Sequence, residues 1–306
     1  MCASKGRLVP ASARRKSQRD LTFLRLSFIF LRLAYNKRAS KFLTTDLNYS
    51  FIIPAYNESE RLTTSLPKVL DYIRQHRFAA EVIVVNDGST DDTADIVRCF
   101  AANSPEIRLL ENPGNRGKGY SVRNGMLHGH GDVLLFTDAD LSSPIYEAAK
   151  LFDAIAHGAD IAIGSRWLQA ELQTERQPWH RQLYGRLFNL GLRIVLGLRY
   201  RDTQCGFKAF SRAAAQTVFT RQHVERWGFD PELLFLADEF RLRTVEVPVE
   251  WAHDHRSRIN PLRDGLSMGV ELLKVRWNDL RGRYQQPSIT MEGSGIEQTT
   301  PVRTAK

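Results

Sequence analysis

The chain has 306 residues, 42% hydrophobic and 25% charged, an ordinary globular composition that excludes wholesale disorder. Its three cysteines, Cys2, Cys99 and Cys205, lie too far apart for a zinc cluster or a disulfide scaffold and point to a reducing compartment. The net charge of +9 belongs to the first 48 residues, where eleven Lys/Arg meet two Asp; the rest of the chain is balanced, so a nucleic-acid-binding body is not expected.

Residues 1–47 read as a basic arm around an amphipathic helix. Leu21, Leu24, Phe28, Leu31 and Tyr35 recur at three- and four-residue steps, with Arg25 and Arg32 on the other side. The two arginines interrupt the apolar run, so no membrane-spanning helix is expected. A basic amphipathic arm suits an anionic membrane surface, and the expected location is peripheral, on the cytoplasmic face of a membrane. The bland alternative is an upstream extension or a core helix with a solvated edge.

From residue 48 the pattern alternates strand and helix. Strands are predicted at Tyr49–Ile53, Glu81–Val85, Ile107–Leu110, Asp132–Thr137 and Ile161–Gly164. A helix is predicted from Asn57 with Glu60 completing a capping box, and Pro67 should kink or restart it. Another is predicted to start around Ser89–Asp92. Two further amphipathic helices follow. One carries Tyr184, Leu187, Phe188, Gly191, Ile194, Val195 and Leu198 on one face, the other Leu262, Leu266, Gly269, Val270, Leu273, Trp277 and Leu280. Periodicity does not say whether these faces meet a core or a bilayer. The polar residues 285–306 are expected to be a disordered tail. The expected fold is α/β: a mainly parallel sheet flanked by helices, with peripheral amphipathic helices.

In such a sheet ligands bind beyond the carboxyl ends of the strands. Four polar loops fall there: Tyr56-Asn57-Glu58, Asp87, Asn115-Arg116-Gly117-Lys118-Gly119 and Asp138-Ala139-Asp140. Two carboxylates one residue apart after a buried strand can hold a hard divalent cation that leaves positions for phosphate oxygens. A turn capping Ser142 and Ser143 is the bland alternative. Asp87 would accept from a ribose or base edge, or close an Asx turn. The NRGKG segment offers N–H groups and Lys118 near a helix start; Tyr120 and the spacing exclude a P-loop. Cys205 is assigned to packing. Asp230 stands at a helix N-terminus, where capping alone would account for it.

The segments IIPAYNESERL, EVIVVNDGSTDDT, NRGKG, DADLSSP and GSRW together resemble the family 2 inverting glycosyltransferases with a GT-A fold. The further segments RDTQCGFKAFSR, HVERWGFDPELLFLA and VPVEW are similar to the dolichyl-phosphate beta-glucosyltransferase branch, and the likeness covers about residues 48–284. The resemblance implies transfer of glucose from UDP-glucose to a polyprenyl (dolichyl) phosphate with inversion, at a membrane surface and without nucleic acid. It implies that Pro54, Tyr56, Glu58 and Asp87 bind the nucleotide, with Lys118 close by, and that Asp138 and Asp140 meet the diphosphate and Mg²⁺ or Mn²⁺. Arg166 would hold donor phosphate or sugar, and Lys208 and Arg258 the acceptor phosphate. Asp230 would be a base if another acceptor needed one.

There are three departures. Asn86 replaces an acid of the frequent VVDDGS form. Leu141 follows the D-x-D where eukaryotic glucosyltransferases of this type often have Gly. No spanning helix is expected ahead of the catalytic body. A mannosyl-transferring relative using GDP-mannose, a non-catalytic sugar-nucleotide binder and a nucleic-acid binder acting through the arm remain as alternatives.

Overall fold

The computed structural model describes residues 48–169, 172, 190–252, 261–286, 289–292 and 295–298, with side chains from 268 onward in the helix that starts at 261 and none described beyond 286. The basic arm, Tyr184–Phe188 and Arg258 lie outside the described residues.

Seven strands form one sheet in the order β3-β2-β1-β4-β6-β5-β7. β1 (Asn48–Ala55), β2 (Ala79–Asn86), β3 (Ile107–Glu111) and β4 (Val133–Phe136) are parallel. β6 (Lys208–Ser211) runs antiparallel to both β4 and β5 (Ile161–Ser165), and β7 (Thr244–Pro248) is parallel to β5. The mainly parallel sheet is therefore as expected. Lys208–Ser211 (KAFS) and Thr244–Pro248 (TVEVP) lack the apolar run that marks β1, β2, β4 and β5, so neither announced itself.

The apolar runs of β1, β2, β4 and β5 bury both faces of the central sheet, as a parallel sheet requires. One face of β1 carries Tyr49 and Phe51, which pack with Tyr72, Phe78 and Phe152 from α1 (Ser59–His76), the turn after it, and α4 (Ala148–Ala156). The alternate residues Ile52, Leu134 and Phe136 join Val122 and Met126 of α3 (Lys118–His128) and Phe229 of α6 (Phe229–Glu239) on the other. Each such side chain contributes roughly 1.5–3 kcal/mol by leaving water. α2 (Thr93–Asn103), α5 (Arg212–Phe219) and α7 (Pro261–Leu280) complete the helices used below.

Local chemistry moves several boundaries. α1 starts at Ser59, not Asn57, and Asn57–Glu60 make no capping box. Its first turn is capped from the neighbouring loop: Glu58 N donates to Thr93 Oγ1 (2.9 Å) and Ser59 N to Asp91 (3.3 Å). α1 also runs through Pro67 without restarting. The carbonyl that Pro67 leaves without a donor is that of exposed Thr63, within reach of water, while Leu66, Val69 and Leu70 stay packed. α2 starts at Thr93, with Asp91 accepting from its N–H at 3.0 Å. The expected disordered tail contains a two-stranded antiparallel hairpin, β8 (Ile289–Glu292) with β9 (Gly295–Gln298), where β-branched Ile289, Thr290 and Ile296 favour strand.

The two late amphipathic segments differ from a core-packing pattern. Residues 190–196 are helical; Leu192 and Leu196 are buried, whereas Ile194 is 73% exposed and Leu190 and Val195 are exposed beside it. In α7, Leu272 and Val275 face the core, while Leu273 (64%), Trp277 (54%), Leu280 (80%) and Val270 face outward. No helix among the described residues is long and apolar enough to cross a membrane.

Candidate active site

The parallel strands β1, β2, β4 and β5 end at one edge of the sheet, and antiparallel β6 begins there, with Lys208 paired in register to Phe136 and Ile163. This reversal brings the DTQCGFK loop beside Asp138, although 70 residues of sequence separate Asp138 from Lys208. Pro54 fits in β1 because its ladder to β4 ends at Ile52, before the missing N–H would be needed. Tyr56 and Glu58 follow at the edge. Tyr56 is exposed, and Glu58 makes a double contact with Arg61 at 2.7 and 2.8 Å.

Asp87 is placed at the same edge, but it is buried and already engaged. Its Oδ1 accepts from Asn112 (2.7 Å) and Arg116 N (3.0 Å), and its Oδ2 from Gly117 N (2.7 Å). Through these bonds it shapes the NRGKG loop. Asn86 closes the same turn by accepting from Ser89 N at 3.0 Å. The shaped loop needs Gly117, which has φ +107° and whose Cβ would lie 2.6 Å from Glu225 O.

That loop delivers Lys118, the first residue of α3. Its ammonium lies 2.5 Å from Asp138 Oδ1 and 5.6 Å from the centroid of the exposed Trp227 ring. Burial alone would lower the Lys118 pKa, but Asp138, Asp230 and Asp140 outweigh it and hold the ammonium above its ordinary value. Asp138 and Asp140 lie together past β4, and Ser142 N donates to Asp140 at 2.9 Å. Burial, then the neighbouring Asp138 charge, pushes the Asp140 carboxyl up. Leu141 turns back with φ +49°, a left-handed position that costs a branched side chain about 1–2 kcal/mol; this is why a glycine suits the position. Beneath Asp138 lies Gly206, where a Cβ would meet the carboxylate at 2.3 Å.

No cluster of three or more metal-ligating side chains occurs among the described residues. Two adjacent carboxylates, with backbone held clear of one of them at Gly206, fit a hard cation completed by substrate oxygens and water.

Lys208 and Arg166 both sit in interior ion pairs. Lys208 is fully buried, and its ammonium bonds the Asp230 carboxylate and Cys205 O (2.6 Å). As the buried first residue of β6 it supports Asp230. Arg166 donates Nε and Nη2 to Asp202 at 2.7 and 2.8 Å, and its backbone N–H to the same carboxylate at 3.0 Å. It therefore anchors the 202–208 loop, with Trp167 and Trp251 rings 5.8 and 5.5 Å away. Burial favours neutral forms of both partners, but the pairing prevails: Arg166 is held above and Asp202 below its ordinary pKa. Burial raises the Asp230 carboxyl, with Lys208 and Lys118 opposing. Burial and then Asp202 push the Cys205 thiol up to about 12, which leaves it inert and consistent with packing.

Sequence reading missed Asp202 as the partner of Arg166, Gly206 as the floor under Asp138 and Trp227 beside Lys118. Only the concentration of polar residues and glycine in DTQCGFK hinted at the first two.

Comparison with known proteins agrees with this geometry. The family profile described as Glycosyl transferase family 2 matches residues 50–219. A dolichyl-phosphate beta-glucosyltransferase of Trichomonas vaginalis is 38% identical over 76% of this chain and 72% of its own length. The Homo sapiens dolichyl-phosphate beta-glucosyltransferase is 37% identical over 77% of each chain. Among solved structures, glucosyl-3-phosphoglycerate synthase from Mycobacterium tuberculosis, in complex with Mn²⁺, uridine diphosphate and glucosyl-3-phosphoglycerate, superposes with a TM-score of 0.55 at 19% identity. That match covers 85% of this chain and 91% of the other. The sheet is thus the expected GT-A arrangement, and the chain belongs to glycosyltransferase family 2 and is a glycosyltransferase.

Proposed function

We propose that the enzyme transfers glucose from UDP-glucose to dolichyl (polyprenyl) phosphate at a membrane surface, giving the lipid-linked beta-glucosyl phosphate. The observation that carries this reading is the contact of two motifs through Gly206. The D-x-D carboxylate rests on the RDTQCGFK loop, and the relatives that bear this activity in their names align over both.

The reaction joins an acceptor phosphate oxygen to the sugar C1 as the bond from C1 to the donor β-phosphate breaks, and UDP leaves. Inversion follows from attack on the face opposite the leaving group. A phosphate monoester has its second pKa near about 6 and is already a nucleophile at neutral pH. The protein's task is to bring two anions together. Asp138 and Asp140 would hold Mg²⁺ or Mn²⁺, which supplies Lewis-acid neutralisation of the leaving diphosphate. Lys118 lies beside them as a second positive charge. Exposed Tyr56 offers a ring face to the base at the nucleotide end. Asp230, braced by Lys208, faces the same pocket of charge and orients what enters beside Lys118.

The membrane surface is met by the two outward apolar faces. Of the ten exposed large hydrophobic residues among the described residues, seven lie on residues 190–196 and α7. Arg276 ties the two segments together by donating to Val195 O at 2.9 Å. Exposed Lys274, Arg281 and Arg283 rim the patch, with Arg281 over Trp277 at 4.3 Å. Apolar surface with a basic rim suits an anionic bilayer. α7 also reaches the site: Gly228 N donates to Glu271 at 2.8 Å, two residues before Asp230.

The test is transfer from labelled UDP-glucose, UDP-N-acetylglucosamine and GDP-mannose to dolichyl phosphate in anionic vesicles. Labelled lipid is expected from UDP-glucose. Transfer from GDP-mannose alone would replace the donor assignment, and binding of UDP-glucose without any transfer would make the protein a sugar-nucleotide binder.

A further inference from the structure

Lys118 occupies a position that a metal would also claim. Its ammonium is 2.5 Å from Asp138 Oδ1 and is the one cationic side chain within ion-pair distance of Asp138 among the described residues. A divalent ion on the same carboxylate approaches to about 2.1 Å and demands a near-octahedral shell. An ammonium and a divalent cation sharing that oxygen repel each other strongly at such distances. Where both claim Oδ1, one of the two gives way.

The backbone under Lys118 cannot retreat to make room. A Cβ at Gly117 would lie 2.6 Å from Glu225 O, and one at Gly119 would lie 2.7 Å from Val224 O. Tyr120 N donates to Glu225 O at 2.9 Å, and Gln222 bonds Gly119 O at the same distance. Motion is therefore confined to the lysine side chain. A displaced ammonium needs another anion, and Asp230 is already bonded by Lys208. An incoming nucleoside diphosphate supplies that anion.

We propose that Lys118 is an exchangeable internal counter-ion: it neutralises Asp138 in the free enzyme and transfers to the diphosphate of the nucleotide when the divalent cation takes the carboxylate. The exchange couples the two ligands. The metal binds weakly alone because it must strand an ammonium, and tightly with the nucleotide because the ammonium is then paired. By linkage, the nucleotide gains from the metal by the same factor. The proposal rests on the functional reading only in taking a nucleoside diphosphate as ligand. The identity of the sugar and the acceptor does not enter.

The experiment measures Mn²⁺ binding to the full chain by the electron paramagnetic resonance signal of free Mn²⁺, with and without saturating UDP, corrected for Mn²⁺ bound by UDP itself. The wild type should bind Mn²⁺ at least about fivefold more tightly with UDP. Lys118→Met should bind Mn²⁺ alone about tenfold more tightly than the wild type, by removing a unit charge from beside the carboxylate, and should lose most of the UDP enhancement. Lys118→Arg keeps the charge and should keep the coupling. Unchanged or weaker Mn²⁺ affinity of Lys118→Met in the absence of UDP, with its circular dichroism intact, would overturn the proposal. So would Mn²⁺ binding that survives Asp138→Asn combined with Asp140→Asn. Absence of glucosyl transfer to a lipid phosphate would sink the functional reading and leave these binding results standing.

Discussion

The two sides of the sheet edge are built on different terms. On the side of β1, β2 and β4, carboxylates hold the loops by accepting from backbone N–H groups: Asp87 from Arg116 and Gly117, and Asp91 from Ser59 at the start of α1. On the side of β5, β6 and α6, oppositely charged side chains pair in the interior, Arg166 with Asp202 and Lys208 with Asp230, and apolar helix faces point outward. Under the proposed function, the first would cradle the nucleotide. The second sets a loop of fixed position beside a surface left open for something large and apolar.

The sharpest way to break this contrast is to remove a buried charge. Lys208→Met would leave Asp230 charged and unpaired, at a cost of about 3–5 kcal/mol in stability by urea unfolding. A variant of normal stability that has lost only affinity for the lipid phosphate would return Lys208 to the role of ligand contact. The next effect belongs to the junction of the two sides. Asp138→Asn or Asp140→Asn should lower turnover by about 10²–10³-fold with folding intact. Full activity of either variant, or of the wild type in excess EDTA, would remove the metal from the account.

A pH effect should appear on the α6 side. Glu232 is fully buried and is pushed up to about 7 by burial, although Tyr284 OH (2.7 Å) and the N–H groups of Val224 and His223 donate to it. Its folded-state value lies above its unfolded one, so the native state holds the extra proton. The stability it contributes is full below about pH 4.5 and is lost as pH rises through about 7, a change of up to about 3 kcal/mol. Glu232→Gln should flatten that part of the stability–pH curve; an unchanged slope would show that Glu232 is not its source.

On the outer face, Leu273→Ser with Trp277→Ser should change stability by no more than about 1 kcal/mol, because both side chains are more than half exposed. Binding to anionic vesicles should fall by about tenfold or more, since each large apolar side chain inserted is worth roughly 1.5–3 kcal/mol. Strong destabilisation instead would mean that these residues are packed. The smallest effect is at Leu141, where Leu141→Gly should gain up to about 1 kcal/mol by relieving the left-handed backbone.

The contrast also explains what could be read from the sequence. β1, β2, β3, β4 and β5 are continuous apolar runs ended by turn chemistry, and their loops carry contiguous motifs, so the parallel sheet and the Asp138/Asp140 pair were legible. β6 (KAFS) and β7 (TVEVP) carry charged or polar residues among their apolar ones and take their strand state from the neighbours they pair with. The partner of Lys208 lies 22 residues away and that of Arg166 36 residues away, distances at which spacing gives no sign of contact. Periodicity did find the apolar face of α7, but the same pattern serves a core or a membrane, and only burial distinguished them. For residues 190–196 the packed stripe proved to be Leu192 and Leu196, with Ile194 and Val195 outward.

The central claim is that this edge joins a nucleotide cradle to a lipid-phosphate surface. The measurement that tests it most directly is a single-turnover reaction of UDP-glucose with polyprenyl phosphate in anionic vesicles, followed by nuclear magnetic resonance of the anomeric carbon and phosphorus in the lipid product. The account predicts a beta-linked glucosyl phosphate, formed by the wild type and lost in Asp140→Asn while UDP still binds. An alpha-linked product, or a wild type that binds UDP-glucose and vesicles yet forms no glucosyl lipid, would contradict it.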